Sequence, residues 1–165
     1  MGGYGSGRRA ARPTVEDSLT IDVGLALRRG WLRPRATGTG SLSWTQNSDP
    51  YASIGYSYDL IHSEGAWLVL TFAVSRDGGQ RVSVNQRIAL VYTQPTYGGR
   101  RWWMICPLTG RRVAKLYLPP GGDRFASRTF WGLSYRSQRS SHCYRPVRTT
   151  SWVCQWSRHH RSSKW

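Results

Sequence analysis

The stretch SLSWTQNSDPYASIGYSYDLIHSEGAWLVLTFAVSRDGGQRVSVNQRIALVYT, residues 41–93, decides the fold. Within it, apolar residues alternate with polar ones in four runs, 41–45, 51–59, 66–74 and 81–93. Leu42 and Trp44 share one face of the first run, and Ile54, Tyr56 and Tyr58 share one face of the second. Leu68, Leu70, Phe72 and Val74 do so in the third, then Val82, Val84, Ile88, Leu90 and Tyr92 in the fourth. A period of two is the signature of strands with one face in a core. The runs are separated by Asn47-Ser48-Asp49-Pro50, His62-Ser63-Glu64-Gly65 and Asp77-Gly78-Gly79, all turn formers. Short connections make consecutive strands antiparallel neighbours, so the stretch reads as a four-stranded meander.

Upstream, Thr14 with Glu16 and Asp17 has the form of a helix start, and Thr20 with Asp22 offers a second one. Arg28, Arg29 and Gly30 suit a helix end. One or two short helices are therefore expected over 14–29, packed on the apolar face of the meander. A strand is the rival reading, because Leu19, Ile21, Val23, Leu25 and Leu27 alternate. Residues 33–40, with Pro34 and Thr37-Gly38-Thr39-Gly40, read as a loop, and the Gly- and Arg-rich residues 1–13 as a flexible arm.

Downstream, 98–139 has the layout of two short hairpins. Strands are expected over 101–106 and 112–118. One tip is Cys106-Pro107-Leu108-Thr109-Gly110, and the other is Ser127-Arg128-Thr129-Phe130. A four-cysteine zinc ribbon carries a C-x-x-C pair at each such tip. Here the spacing survives, but Cys106 alone of the four ligand positions Cys106, Thr109, Ser127 and Phe130 is a cysteine. Neither a metal nor another cofactor is expected. Trp102, Trp103, Phe125, Phe130 and Trp131 could hold the tips by packing instead. On a strand, adjacent Trp102 and Trp103 point to opposite faces, so one should be buried and one available. Beyond about residue 137 no Asp, Glu, Leu, Ile, Ala or Gly occurs, and no periodicity is visible. Residues 140–165 read as a basic, disordered tail or as sequence outside the natural reading frame. Cys143, Cys154, His142, His159 and His160 match no common metal spacing.

The organisation expected is thus an arm (1–13), a helix plus meander (14–97), a ribbon-like module (98–139) and a tail (140–165). The fold class is α+β, mostly antiparallel β.

The chain has 165 residues, a length typical of one domain, and is 39% hydrophobic. Its charge is the outlier: 24 basic residues against 8 acidic, a net +16. Only Lys115 and Lys164 are lysines; the other basic residues are arginines, which fork onto phosphates and stack on bases. A GC-rich codon bias would produce the same excess. Such a balance favours a polyanionic partner, nucleic acid before others. Three cysteines suggest no disulfide framework, which suits a reducing, cytoplasmic setting. No run approaches the roughly 18 apolar residues of a membrane span, and the opening residues lack the apolar stretch of a secretory leader. Gly2 and Ser6 fit the myristoylation pattern loosely, without other supporting signals.

Several segments together resemble a family of small uncharacterised proteins of bacteria and their mobile elements. They are Gly2 to Arg8, Thr14-Val15-Glu16-Asp17 with Leu19 and Asp22, Gly40-Ser41-Leu42-Ser43-Trp44, and Gly98-Gly99-Arg100-Arg101-Trp102-Trp103. Cys106-Pro107, the run from Gly110 to Leu118, and Tyr135-Arg136-Ser137-Gln138-Arg139 complete the set, over residues 1 to about 139. The resemblance implies a ribbon-like second half, zinc-holding in members with cysteines at the positions of Thr109, Ser127 and Phe130. It implies no particular activity.

The basic clusters of the second half are interleaved with aromatics, a combination suited to single-stranded nucleic acid and to duplex backbone. Arg100, Arg101, Arg111, Arg112, Lys115 and Arg128, followed by Arg136 and Arg139, are candidates for phosphate contacts. Trp102 or Trp103, with Tyr135, are candidates for base stacking. A solvated basic surface, or a face for an acidic protein partner in a phage or mobile-element system, is the competing reading. No motif points to an enzyme. Asp59, His62 and Glu64 form the only acid–His–acid cluster and fall where a solvated turn explains them; no phosphate loop or nucleophile elbow occurs. The expected function is non-catalytic binding of DNA or RNA, with no membrane partner.

Overall fold

The computed structural model of the protein describes residues 13–46, 49–62, 64–75, 81–139 and 153–155. Nearly all of the expected arm and most of the expected tail, including Cys143, His142, His159 and His160, lie outside the described residues. Along the chain run β1 (Leu19–Asp22), α1 (Val23–Arg28), β2 (Thr37–Gln46), β3 (Asp49–Asp59), β4 (Trp67–Ser75) and β5 (Arg81–Thr93). They are followed by β6 (Arg101–Ile105), β7 (Arg112–Val113), β8 (Lys115–Leu118), α2 (Arg128–Trp131) and β9 (Val153–Gln155). The fold is mostly antiparallel β. One sheet has the order β7-β6-β5-β4-β3-β2-β9, and β1 pairs with β8 in a separate ribbon.

The meander is where the alternation places it, with β2–β5 joined in sequence order. It also continues beyond 97: Leu90↔Met104 through Thr93↔Arg101 pair β5 with β6, and Met104↔Val113 pairs β6 with β7. The first of the two expected hairpins is therefore hydrogen-bonded into the meander itself. At the other edge β9 lies against Ser43–Thr45, so three residues of the expected disordered tail are in a strand.

One face of the sheet holds the core. Leu70, Ile88, Leu90 and Met104 are fully buried on it, each worth about 1.5–3 kcal/mol of transfer free energy. Phe125, from the second expected hairpin, lies edge-on to Phe72 at 5.4 Å and stacks beside Trp44 at 6.5 Å. Gln86, at an inward position of β5, holds Phe125 there. Its amide donates to the Phe125 carbonyl and accepts from the Phe125 N–H, both at 2.7 Å. A side chain thus does the work of a strand partner, and a polar residue in an apolar row is fully satisfied.

Residues 33–40 are only partly the expected loop, because β2 begins at Thr37. Gly38 and Gly40 pair with Tyr58 and Tyr56 on β3. The tyrosine rings lie across them so closely that a Cβ would come within 2.8 Å of Tyr58 and 2.5 Å of Tyr56. The glycines cover no core themselves; the neighbouring rings cover it for them.

The expected helix over 14–29 survives only as α1. Asp17 does not start a helix. Its carboxylate accepts from the Thr14 N–H at 3.1 Å and the Thr14 hydroxyl at 2.6 Å, closing a single turn. Residues 19–22 then pair with β8, a partner almost 100 residues away, and Ile21 enters the core. The alternating reading applies here. The second start signal is the working one: Asp22 caps α1 by accepting from Leu25 N–H at 2.9 Å. α1 buries Val23 and Ala26 and ends at Arg29 and Gly30, the latter at φ 70°.

No helix among the described residues is long and apolar enough to cross a membrane.

Candidate functional site

The residues expected to bind nucleic acid fall into two groups. The first lies on the face of the sheet opposite the core. Along β6, Trp102 and Met104 are buried, while Arg101, Trp103 and Ile105 face outward. Trp102 is thus withdrawn from the candidate site: it is 5% exposed, its ring 5.4 Å from Tyr92. Trp103 is half-buried, and its indole N–H donates to the Thr93 hydroxyl at 3.0 Å. Arg101 places its guanidinium over the Trp103 ring at 4.3 Å; Arg100, just before β6, instead lies over Tyr92, on the core side of the sheet, at 4.6 Å. Arg112, opposite Ile105 on β7, and Arg111 beside it are exposed. Among the described residues, none of these four arginines has a carboxylate at ion-pair distance.

The second group surrounds β8 and α2, and it is engaged with the rest of the chain. Lys115 pairs with Asp22 at 3.4 Å. Arg136 donates to Asp17 at 2.9 Å through its guanidinium and to Glu16 at 3.0 Å through its backbone N–H. Arg139 donates to the Ser134 hydroxyl at 2.6 Å. Arg128 covers the Tyr135 ring at 5.3 Å. With the Thr14–Ser134 bridge, this group fastens residues 134–139 to residues 14–22. The Thr14 hydroxyl bond, opposed by burial and helped by Arg136, holds the Asp17 carboxyl below its ordinary value.

The four ribbon positions divide three to one. Cys106 is fully buried, and its Sγ accepts from Ser127 N–H at 3.3 Å. Burial pushes the thiol up. The Thr109 hydroxyl and the N–H groups of Leu108, Ser127 and Thr109 outweigh it and hold Cys106 below the usual thiol value. At the second tip Ser127 Oγ accepts from Phe130 N–H at 3.3 Å, so it plays toward its own turn the part that Cys106 plays. Both turns close on left-handed glycines, Gly110 at φ 66° and Gly132 at φ 60°. Cys106, Thr109 and Ser127 therefore meet, whereas Phe130 is 46% exposed and packs edge-on against Trp131 at 5.1 Å. Among the described residues, no group of three or more His, Cys, Asp or Glu side chains could hold a metal ion. Asp59, of the acid–His–acid cluster, accepts from Ile61 N–H at 2.9 Å, as a turn-capping carboxylate does.

Three surface residues of this face escaped the sequence reading. Tyr97 is fully exposed at the β5–β6 turn, next to Gly98 and Gly99, both at positive φ. The signal was there: an aromatic between Pro95 and a Gly-Gly pair has no periodic partner to bury it. Trp67 and Arg87 face outward on β4 and β5, the guanidinium 5.2 Å from the ring centroid. Their pairing depends on strand register, which composition does not disclose.

Comparison with known protein families, curated proteins and solved structures finds no match to this chain.

Proposed function

We propose that the chain is a non-catalytic nucleic-acid-binding protein that uses the outer face of β5–β7 and the turn between β5 and β6. The observation that carries this reading is the Arg101–Trp103 stack, beside a fully exposed Tyr97 and arginines that have no carboxylate partner among the described residues. A guanidinium over an indole keeps its in-plane N–H groups free for phosphate, while rings at a turn offer faces to bases. The net charge of +16 supplies long-range attraction to a polyanion. Lys115, Arg136 and Arg139 drop out of the contact set, because their partners are within the chain.

In the same reading, the turns at Cys106 and Ser127 are a ribbon that keeps its sulfur-centred hydrogen bonds without metal. The resemblance to the mobile-element family and a reducing, cytoplasmic setting belong to it too, the latter fitting the free, buried Cys106 thiol.

The test is fluorescence anisotropy of the full chain with end-labelled single-stranded DNA, duplex DNA and RNA at low and near-physiological salt. Log affinity should fall linearly with log salt. Arg101→Glu with Arg112→Glu should weaken binding by at least ~10-fold at either salt. Equal, weak binding to all three polymers, unmoved by that double change, would overturn the proposal and direct the search to an acidic protein partner.

A further inference from the structure

The outer face carries a second arginine–tryptophan stack, and the sheet register fixes its place relative to the first. Trp67 on β4 lies opposite Ala89 on β5, and Trp103 on β6 lies opposite Val91. Both indoles therefore flank one strand, on the same face, two residues apart along it. Each has its own guanidinium, Arg87 at 5.2 Å from Trp67 and Arg101 at 4.3 Å from Trp103. Between them the surface of β5 is Ala89 and Val91, side chains too short to obstruct a ligand lying flat. Two strand spacings across and two residues along put the indoles roughly 12 Å apart. That is on the order of three stacked nucleotides at ~3.4 Å each.

From this geometry we infer that the face is a two-platform track for a single-stranded segment, with one base stacked on the Arg101–Trp103 pair, a second on the Arg87–Trp67 pair, and the edges of the two guanidiniums on the phosphates. The inference rests on the function proposed above and deepens it from nucleic acid to single strands of a minimum length. Duplex does not suit the track, because paired bases keep their faces inside the stack and cannot reach two flat platforms. Charge sets the direction of the track. Asp59 lies opposite Trp67 on β3, and its carboxylate would repel phosphate, so the strand leaves Trp67 toward β5 and β6. Elsewhere on this face small polar residues recur, with Ser41 opposite Gly55, Ser43 opposite Ser53, and the Thr71 hydroxyl bonded to Asn85 at 2.8 Å.

The experiment measures affinity of the full chain for end-labelled oligothymidylates of about 2, 4, 8 and 12 nucleotides, with matched oligouridylates and one duplex. Wild type should show a step in affinity of ~10-fold or more between the shortest oligomer and the length that reaches both indoles, followed by a plateau. Trp67→Ala should remove that step, so that the longer oligomers bind little more tightly than the shortest, while Trp67→Phe should keep most of it. Arg87→Gln, a surface change that keeps the strand's backbone pairing, should weaken the longer oligomers alone by several-fold. The polymer that shows the larger step, deoxy or ribo, is the assigned ligand. Loss of binding on Trp103→Ala with no change on Trp67→Ala or Arg87→Gln would overturn the two-platform track and leave the function standing. Insensitivity to all three would overturn both. Duplex bound as tightly as single strands would overturn the track by itself.

Discussion

Trp102 and Trp103 are neighbours in the chain and belong to opposite sides of the molecule. Trp102 is packed against Tyr92 inside; Trp103 lies under Arg101 outside. The same division separates Gln86 from Arg87 one strand away, where one residue holds Phe125 and the next covers Trp67. The inner face answers to packing and hydrogen-bond satisfaction; the outer face carries the arginine–tryptophan pairs on which the proposed binding rests. Substitutions on the two sides should therefore affect different measurements.

The widest separation is expected at the tryptophan pair. Trp102→Ala should cost about 3–5 kcal/mol in chemical denaturation, because a large ring leaves a cavity among fully buried neighbours. Trp103→Ala should cost under about 1 kcal/mol and appear instead as lost oligonucleotide affinity. If the two variants were equally destabilised, the assignment of faces along β6 would be wrong. Next comes Gln86→Leu. It leaves the buried Phe125 N–H and carbonyl without partners, at about 1–3 kcal/mol for each group before relaxation. Arg87→Gln should stay within about 0.5 kcal/mol of wild type by the same denaturation.

The turn around Cys106 tests a smaller effect of the inner kind. Cys106→Ala deletes the acceptor for the N–H groups of Leu108, Thr109 and buried Ser127 and should cost about 1–3 kcal/mol. Cys106→Ser restores an acceptor and should recover part of that loss. Equal losses in the two variants would mean that the sulfur fills space and does not organise the turn.

The legible part of this fold is the part whose signal is local. Alternation from Leu42 to Tyr92 located β2–β5 because each strand's inward row is written in its own residues. Where the deciding partner is distant, the reading failed. Leu19 and Ile21 alternate, which offered a strand as the rival reading, but β8, the partner that decides for it, lies almost 100 residues away. Gly38 and Gly40 looked like a loop because the tyrosines that shield them are on β3. Gln86 interrupts the apolar row of its strand, and its partner, the Phe125 backbone, lies 39 residues on. The candidate site divided in the same way. Arg101 and Trp103 were visible as a cluster, but the pairing of Trp67 with Arg87 required the register. The engagement of Lys115 and Arg136 required knowing where Asp22 and Asp17 lie.

That last pair of contacts makes the smallest prediction and sets the basic residues around β8 apart from those on the sheet. Lys115 and Asp22 form an exposed pair, so Lys115→Ala should cost no more than about 1 kcal/mol. Asp17 is more informative because its effect depends on pH. The Thr14 hydroxyl bond leads the causes that hold its carboxyl low; burial opposes them, and Arg136 adds to the lowering. A carboxyl with a lower value in the folded chain than the roughly 3.9 of an unfolded one binds fewer protons when folded. Its stabilising contribution is thus fully present above about pH 4 and is lost as pH falls through the folded value. Denaturation midpoints of wild type and Asp17→Asn should differ by a constant amount above about pH 5 and converge below about pH 4. Arg136→Gln should reduce that difference without abolishing it, because the Thr14 bonds remain. The same substitution should leave oligonucleotide affinity within about twofold, whereas Arg101→Gln should not. Equal effects of the two arginines on affinity would erase the distinction between a fastening group and a docking face.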